Sequence, residues 1–355
     1  MKPLLRLTTI TPRTGETVMS RRNVLLSAAA VTAAACVKDG KDTAQPFDTA
    51  GLADTGIDPT PPGAITANDS FYVTSISSPP TMDAESWTFT FMDRGAVTLV
   101  MSRAALLSLE ARDKEHTLMC IGGGPRNLAI GNAVWTGLPL TEILTALNVP
   151  IPDGVVEIKF VGADGYSTSV PISDLYDEGL HGPLWLVWKM NGEDLPPEHG
   201  TICRFLTPGR YGQKNPKWPI SMEFIDTPYL GFWESYGWSD DASYYPTGLL
   251  LNPSIYTTAA VGPATISGVG FAGKDPVVAV NVRVDSGEWQ PATITYSPGA
   301  DIWVVWTFHY DVLEGEHTVQ VQSVTASGAV SNDNPDGTGV QDGYDGSMEI
   351  TIKGV

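Results

Sequence analysis

The residues best placed to do chemistry lie in HTLMCIGGGPRN, residues 116–127, where an apolar run ends on Cys120 and, after Ile121, the chain places Gly122, Gly123 and Gly124 in a row. A thiolate is a soft metal ligand and a nucleophile. Glycines beside it remove Cβ atoms, so the backbone can take positive φ, approach a ligand closely, and turn several N–H groups toward an anion. Two readings stand on pattern alone: a ligand-bearing thiol above a backbone cup, or a small buried hydrophobe followed by a flexible turn.

The second chemical signal is a distribution of charge. From His199 to Met222 the sequence HGTICRFLTPGRYGQKNPKWPISM contains no acid, yet it carries Arg204, Arg210, Lys214 and Lys217 in a chain of net charge −19. Arg offers a bidentate fork and Lys a point charge, so the segment suits a phosphate. A solvated loop that balances nearby carboxylates is the alternative. Cys203 adjoins Arg204 in an apolar stretch and reads as a packed core thiol.

These groups must be positioned by the rest of the 355 residues, a length that suits two domains. The first 36 residues hold five basic residues against Glu16 alone, so 16 of the 21 basic and 39 of the 40 acidic residues follow them. SRRNVLLSAAAVTAAAC puts Arg21-Arg22 ahead of an apolar run too short to span a bilayer, which reads as an export signal of twin-arginine type. Cys36 then reads either as the lipidated cysteine of a lipobox or as a residue at a plain cleavage site, and Met19 stands as an alternative start. With so acidic a body, nucleic acid and anionic membrane surfaces are poor partners for it. Two remaining cysteines, Cys120 and Cys203, are too few for a disulfide framework.

Residues 37–66, rich in Asp, Thr, Gly and Pro, form a solvated tether. Residues 67–255 mix short strands, such as WTFTFM at 87–92, with short helices in SRAALLSLEAR and PLTEILTALN. From 256 to 355 helical periodicity disappears and alternation takes over, with Val278, Val280, Val282 and Val284 on one expected face, Val319 and Val321 on another, and Met348, Ile350 and Ile352 on a third. The fold class is therefore α+β: a mixed α/β domain followed by an immunoglobulin-like β-sandwich.

Set in order, NDSFYV, TLMCIGG, AVWTGLPLTEIL and MNGEDLPPEHGTICRFLTPGRYGQKNPKW resemble the sulfite-oxidase-type molybdopterin-dependent oxidoreductases over residues 68 to about 345. The resemblance implies a molybdenum–molybdopterin cofactor, with Cys120 giving its thiolate to the metal, Gly122 and Gly123 against the cofactor, and His199, Arg204, Lys214 and Lys217 gripping the pterin and its phosphate. It also implies that the sandwich is the dimerisation-type domain of that family, making a homodimer. No haem or iron–sulfur motif is visible, so electrons pass to a separate carrier such as a c-type cytochrome or a membrane redox partner.

Three departures bear on the substrate. Thr74 stands where the family has an arginine, and Ser75-Ile76 where it has Asn-His; Arg126 is displaced in CIGGGPRN without a second arginine beside it; and Trp238, with Tyr236 two residues before it, takes the place of the active-site tyrosine. A pocket with fewer cationic donors and more aromatic surface suits a small molecule or peptide less charged than sulfite. GFWESYGWSDDASYYP reads equally as a substrate mouth or as the seam between the domains. The expectation is an exported oxygen-atom-transfer enzyme of the periplasm or cell envelope; the competing reading is a surface lipoprotein of the same fold that only binds.

Overall fold

The computed structural model describes residues 61–122, 128–176, 179–253, 256–332, 340–344 and 346–355. The leader, Cys36, Gly123, Gly124 and Arg126 lie outside the described residues, as does most of the expected tether. The first half runs β1 (Thr88–Asp93), β2 (Ala96–Ser102), α1 (Arg103–Leu107), β3 (Arg112–Met119), β4 (Ile130–Pro139), α2 (Leu140–Ala146), β5 (Glu157–Gly162), β6 (Ser167–Pro171), β7 (Trp185–Met190), β8 (Glu193–Asp194), β9 (Arg204–Leu206) and β10 (Pro219–Ile225). The expected mixture is thus mostly sheet: the two α-helices among the described residues have five and seven residues. Ser102 caps α1 by accepting from the Ala105 amide, but only Leu106 of that helix is buried, and the chain leaves at Ser108 to begin β3.

Two sheets enclose the first core. One has the order β2-β1-β10-β5-β6, and the other β3-β4-β7-β8 with β9 added to β7. The alternation in WTFTFM sends Phe89 and Phe91 inward to meet Phe160, Phe205 and Phe224. Cys203 is fully buried in the same core, where burial pushes its thiol well above the usual range.

The second half comprises β11 (Thr247–Asn252), β12 (Tyr256–Ala259), β13 (Gly262–Phe271), β14 (Val277–Val284), β15 (Gln290–Pro291), β16 (Thr293–Tyr296), β17 (Val304–Val312), β18 (Gly315–Thr325), β19 (Gly346–Ser347) and β20 (Glu349–Gly354). They form two five-stranded sheets, β16-β17-β13-β11-β19 and β12-β20-β18-β14-β15, around one apolar core. β11 joins this pair ahead of residue 256. Val319, Val321, Met348, Ile350 and Ile352 are buried as the alternation predicts. Val278 is not: a register shift between Val277 and Ala279 puts Val277 in the core and leaves Val278 56% exposed. No helix among the described residues is long and apolar enough to cross a membrane.

β3 divides the two halves. On one face Tyr296 Oη donates to Glu115 Oε1 (2.5 Å) and the Trp303 amide donates to Thr117 Oγ1 (3.0 Å), so this side is fastened to the second half. The other face carries Leu118 and then, just past the strand's end, Cys120, toward a cavity.

Candidate active site and cofactor cavity

Cys120, His199, Arg204, Lys217 and Trp238, all singled out in the sequence, line one cavity. Cys120 is held at the strand end by its amide, which donates to Ala129 O (2.9 Å), and by the Met119 amide, which donates to Tyr244 Oη (3.3 Å). Gly122 follows at the end of the described segment.

The acid-free segment reaches the cavity by folding back on itself. Gly200, at φ 113°, ends the turn Pro197–His199, and a Cβ there would stand 3.1 Å from Arg204 Cβ and 3.4 Å from Lys217 Cβ, so the absent side chain lets β9 and the Lys217-Trp218 pair close together. Trp218 itself adopts φ 51°, a conformation unusual for a bulky residue, with its indole N–H donating to Pro197 O (2.8 Å).

Arg204 is the electrostatic anomaly of the wall. It is 6% exposed and stacks over Trp135 at 5.1 Å. Its Nη atoms donate to His199 O (3.2 Å) and Asn215 O (3.3 Å), while Nε has no partner among the described residues. No carboxylate among the described residues pairs with it, and burial pulls its pKa down to about 10, still protonated at neutral pH. A buried cation with an open donor and no carboxylate is arranged for an anion. His199, lowered to about 4 by burial, is neutral at that pH, its Nε2 2.7 Å from Asn68 O. Lys217 Nζ donates to Glu198 O (2.8 Å) and lies over the Trp218 ring.

Other expected residues are placed elsewhere. Lys214, expected at the phosphate, lies 2.8 Å from Glu234 and 2.9 Å from Asp240 and does not line the cavity. Those two carboxylates come from the next segment of chain and satisfy its charge internally. Tyr236 is 48% exposed and also outside the cavity. Trp238 stacks on Trp233 (4.5 Å between centroids, 16° between planes), and both line the cavity while belonging to the core of the second half. Within the aromatic segment, Trp233 and Trp238 thus pack into the second core and line the cavity.

The cavity also contains residues that sequence reasoning missed: Tyr72, whose phenol burial pushes far above its usual pKa, Asp164, whose carboxyl burial raises, and Tyr166. Tyr72 stood in plain view in NDSFYV beside Thr74; Asp164 sits in the turn after FVG, where Asp usually signals only a turn.

Comparison with known proteins agrees with this geometry. The family described as oxidoreductase molybdopterin binding domain matches residues 76–233. The chain is 26% identical over 299 residues to the mitochondrial sulfite oxidase of Drosophila melanogaster (71% of this chain, 51% of that one) and 27% over 204 residues to the sulfite oxidase of Arabidopsis thaliana (48% and 51%). It is 24% identical over 290 residues to the NADPH nitrate reductase of Aspergillus niger (66% and 33%). The chain thus spans about half or less of the length of these curated relatives. In structure it resembles the sulfane dehydrogenase SoxCD of Paracoccus pantotrophus, with a TM-score of 0.70 at 19% identity over 82% of each chain, a likeness of fold. Residues 76–233 are thus a molybdopterin-binding oxidoreductase domain similar to that of sulfite oxidases, which implies a molybdenum–molybdopterin cofactor.

Proposed function

We propose that the chain is an exported molybdopterin-dependent oxidoreductase that performs two-electron oxygen-atom transfer on a small molecule or peptide less charged than sulfite. The observation that carries this reading is the meeting of Cys120 with Arg204, buried without a carboxylate, in one cavity.

The residues fit the cofactor. Cys120 would give the metal one sulfur, with the organic part of the cofactor supplying further ligands. The open Nε of Arg204 suits the anionic end of such a group, and Lys217 adds a second charge on the same wall. His199 contributes a neutral ring.

When bound, the cofactor supplies a metal that changes oxidation state by two units as an oxygen atom is passed. The chain does the rest. Cys120 provides the thiolate, Arg204 and Lys217 fix the cofactor's charge, and Trp233 and Trp238 narrow the cavity and exclude water. Thr74, Ser75 and Ile76 line the cavity and bring no positive charge to it, and the aromatic pair adds apolar surface, so a small dianion gains little there. The finer parts of the reading rest on the sequence: export by the twin-arginine route, anchoring through Cys36, a periplasmic or envelope location, an immunoglobulin-like character and dimerisation role for the C-terminal sheets, and electron exchange with a c-type cytochrome or membrane redox partner.

Purified holoprotein tests the substrate claim. Sulfite added to the oxidised protein should leave its molybdenum absorption unchanged over minutes. Rapid bleaching by sulfite would overturn that part, and well-folded protein without metal, when made in a host that supplies the cofactor, would favour a pure binding module instead.

A further inference from the structure

The donors in the cavity wall can be sorted by whether the protein already uses them. Tyr166 Oη donates to Gln213 O (2.6 Å), Ser75 Oγ to Ser77 O (2.8 Å), Trp218 Nε1 to Pro197 O (2.8 Å), Gln213 Nε2 to Ser239 O (2.7 Å), and Asn215 Nδ2 to the carbonyls of Arg210 and Tyr211 (3.1 and 3.0 Å). Two hydroxyls on the wall, those of Tyr72 and Thr74, have no hydrogen-bond partner among the described residues. Tyr72 is the one set against the cysteine: a Cβ at Gly212 would stand 3.0 Å from the Tyr72 hydroxyl and 3.7 Å from Cys120 Cα, so both converge on the space that this glycine leaves open. Its ring is fixed by stacking on Phe71, 5.4 Å away at 20°.

We propose that Tyr72 is a catalytic residue, the neutral donor that hydrogen-bonds the reacting oxygen beside the Cys120-ligated metal. A phenol suits that position, because it offers one rigidly aimed O–H and adds no charge to a site that otherwise draws on Arg204 and Lys217. A preset donor stabilises charge that develops on oxygen without having to reorient. This inference rests on the oxygen-transfer reading of the cavity.

The test is Tyr72→Phe, which removes one oxygen and keeps the ring. Molybdenum and pterin content should stay at the wild-type level. The half-reduced holoprotein should show an exchangeable-proton splitting in its molybdenum EPR signal, seen by comparing water with deuterium oxide, and Tyr72→Phe should lose it. Tyr166→Phe, whose hydroxyl is already committed, should retain it. An unchanged splitting in Tyr72→Phe, or its loss in Thr74→Val instead, would overturn the assignment. A wild-type protein without molybdenum would instead refute the oxygen-transfer reading on which the assignment stands.

Discussion

Arg204 and Lys217 differ from Arg210 and Lys214 in what surrounds them, although one acid-free stretch of sequence supplies all four. Arg210 is paired with Asp174 and with Asp241 (3.1 Å), and Lys214 with Glu234 and Asp240. Burial alone would lower Arg210, but the Asp174 carboxylate more than offsets it and holds the guanidinium protonated. Arg204 donates to carbonyls and stacks on a ring with no carboxylate paired to it among the described residues, while Lys217 donates to the Glu198 carbonyl, lies over the Trp218 ring and has Asp164 near it; both line the cavity. A cation that the fold has already neutralised serves the fold. Arg204, which the fold has buried without a carboxylate among the described residues, is held for something else.

The difference can be broken most completely at the metal. Cys120→Ser should abolish oxygen transfer and the thiolate-to-metal absorption band, whereas Cys203→Ser, in the aromatic core, should spare both; reversed results would mean that the wrong thiol has been placed at the metal. Next come the paired cations. Arg210→Met or Lys214→Met leaves a buried carboxylate without its partner and should cost about 3–5 kcal/mol in denaturant unfolding, with cofactor affinity in the folded fraction unchanged. Arg204→Met should do the converse, weakening cofactor retention by about 10- to 100-fold while leaving the melting temperature of cofactor-free protein equal or higher. Equal behaviour of Arg204→Met and Arg210→Met would erase the distinction.

The smallest effect is a pH dependence. Because burial lowers His199 from 6.5 to about 4, the unfolded chain binds a proton that the folded chain does not take up between those values. The stability this group contributes is whole above about pH 6.5 and lost as pH falls toward about 4. His199→Gln should flatten that part of the melting-temperature profile; an unaltered slope would show that the ring is not the group responsible.

What the sequence disclosed, and what it hid, follow the same line. Strand alternation in WTFTFM, HTVQVQSV and SMEITIK survives folding because each of these strands has one face on a core. On the expected face of β14, Val280 and Val282 are buried and only Val278 departs, at a bulge that alternation cannot foresee. Cys120, His199, Arg204 and Lys217, picked out by motif order, come together on one cavity. Lys214 does not line that cavity because it pairs with Glu234 and Asp240, which lie about twenty residues further on and meet it only in the fold. Tyr72 is hidden for the opposite reason: a tyrosine in the apolar end of NDSFYV carries no charge and reads as core, and only the fold sets its hydroxyl beside Cys120.

Sulfur coordination of the metal tests the central claim most directly. In holoprotein from a host that makes the cofactor, X-ray absorption at the molybdenum edge should report about one metal per chain and one sulfur more in the wild type than in Cys120→Ser. An identical sulfur count in the two proteins, or folded wild type devoid of molybdenum, would contradict it.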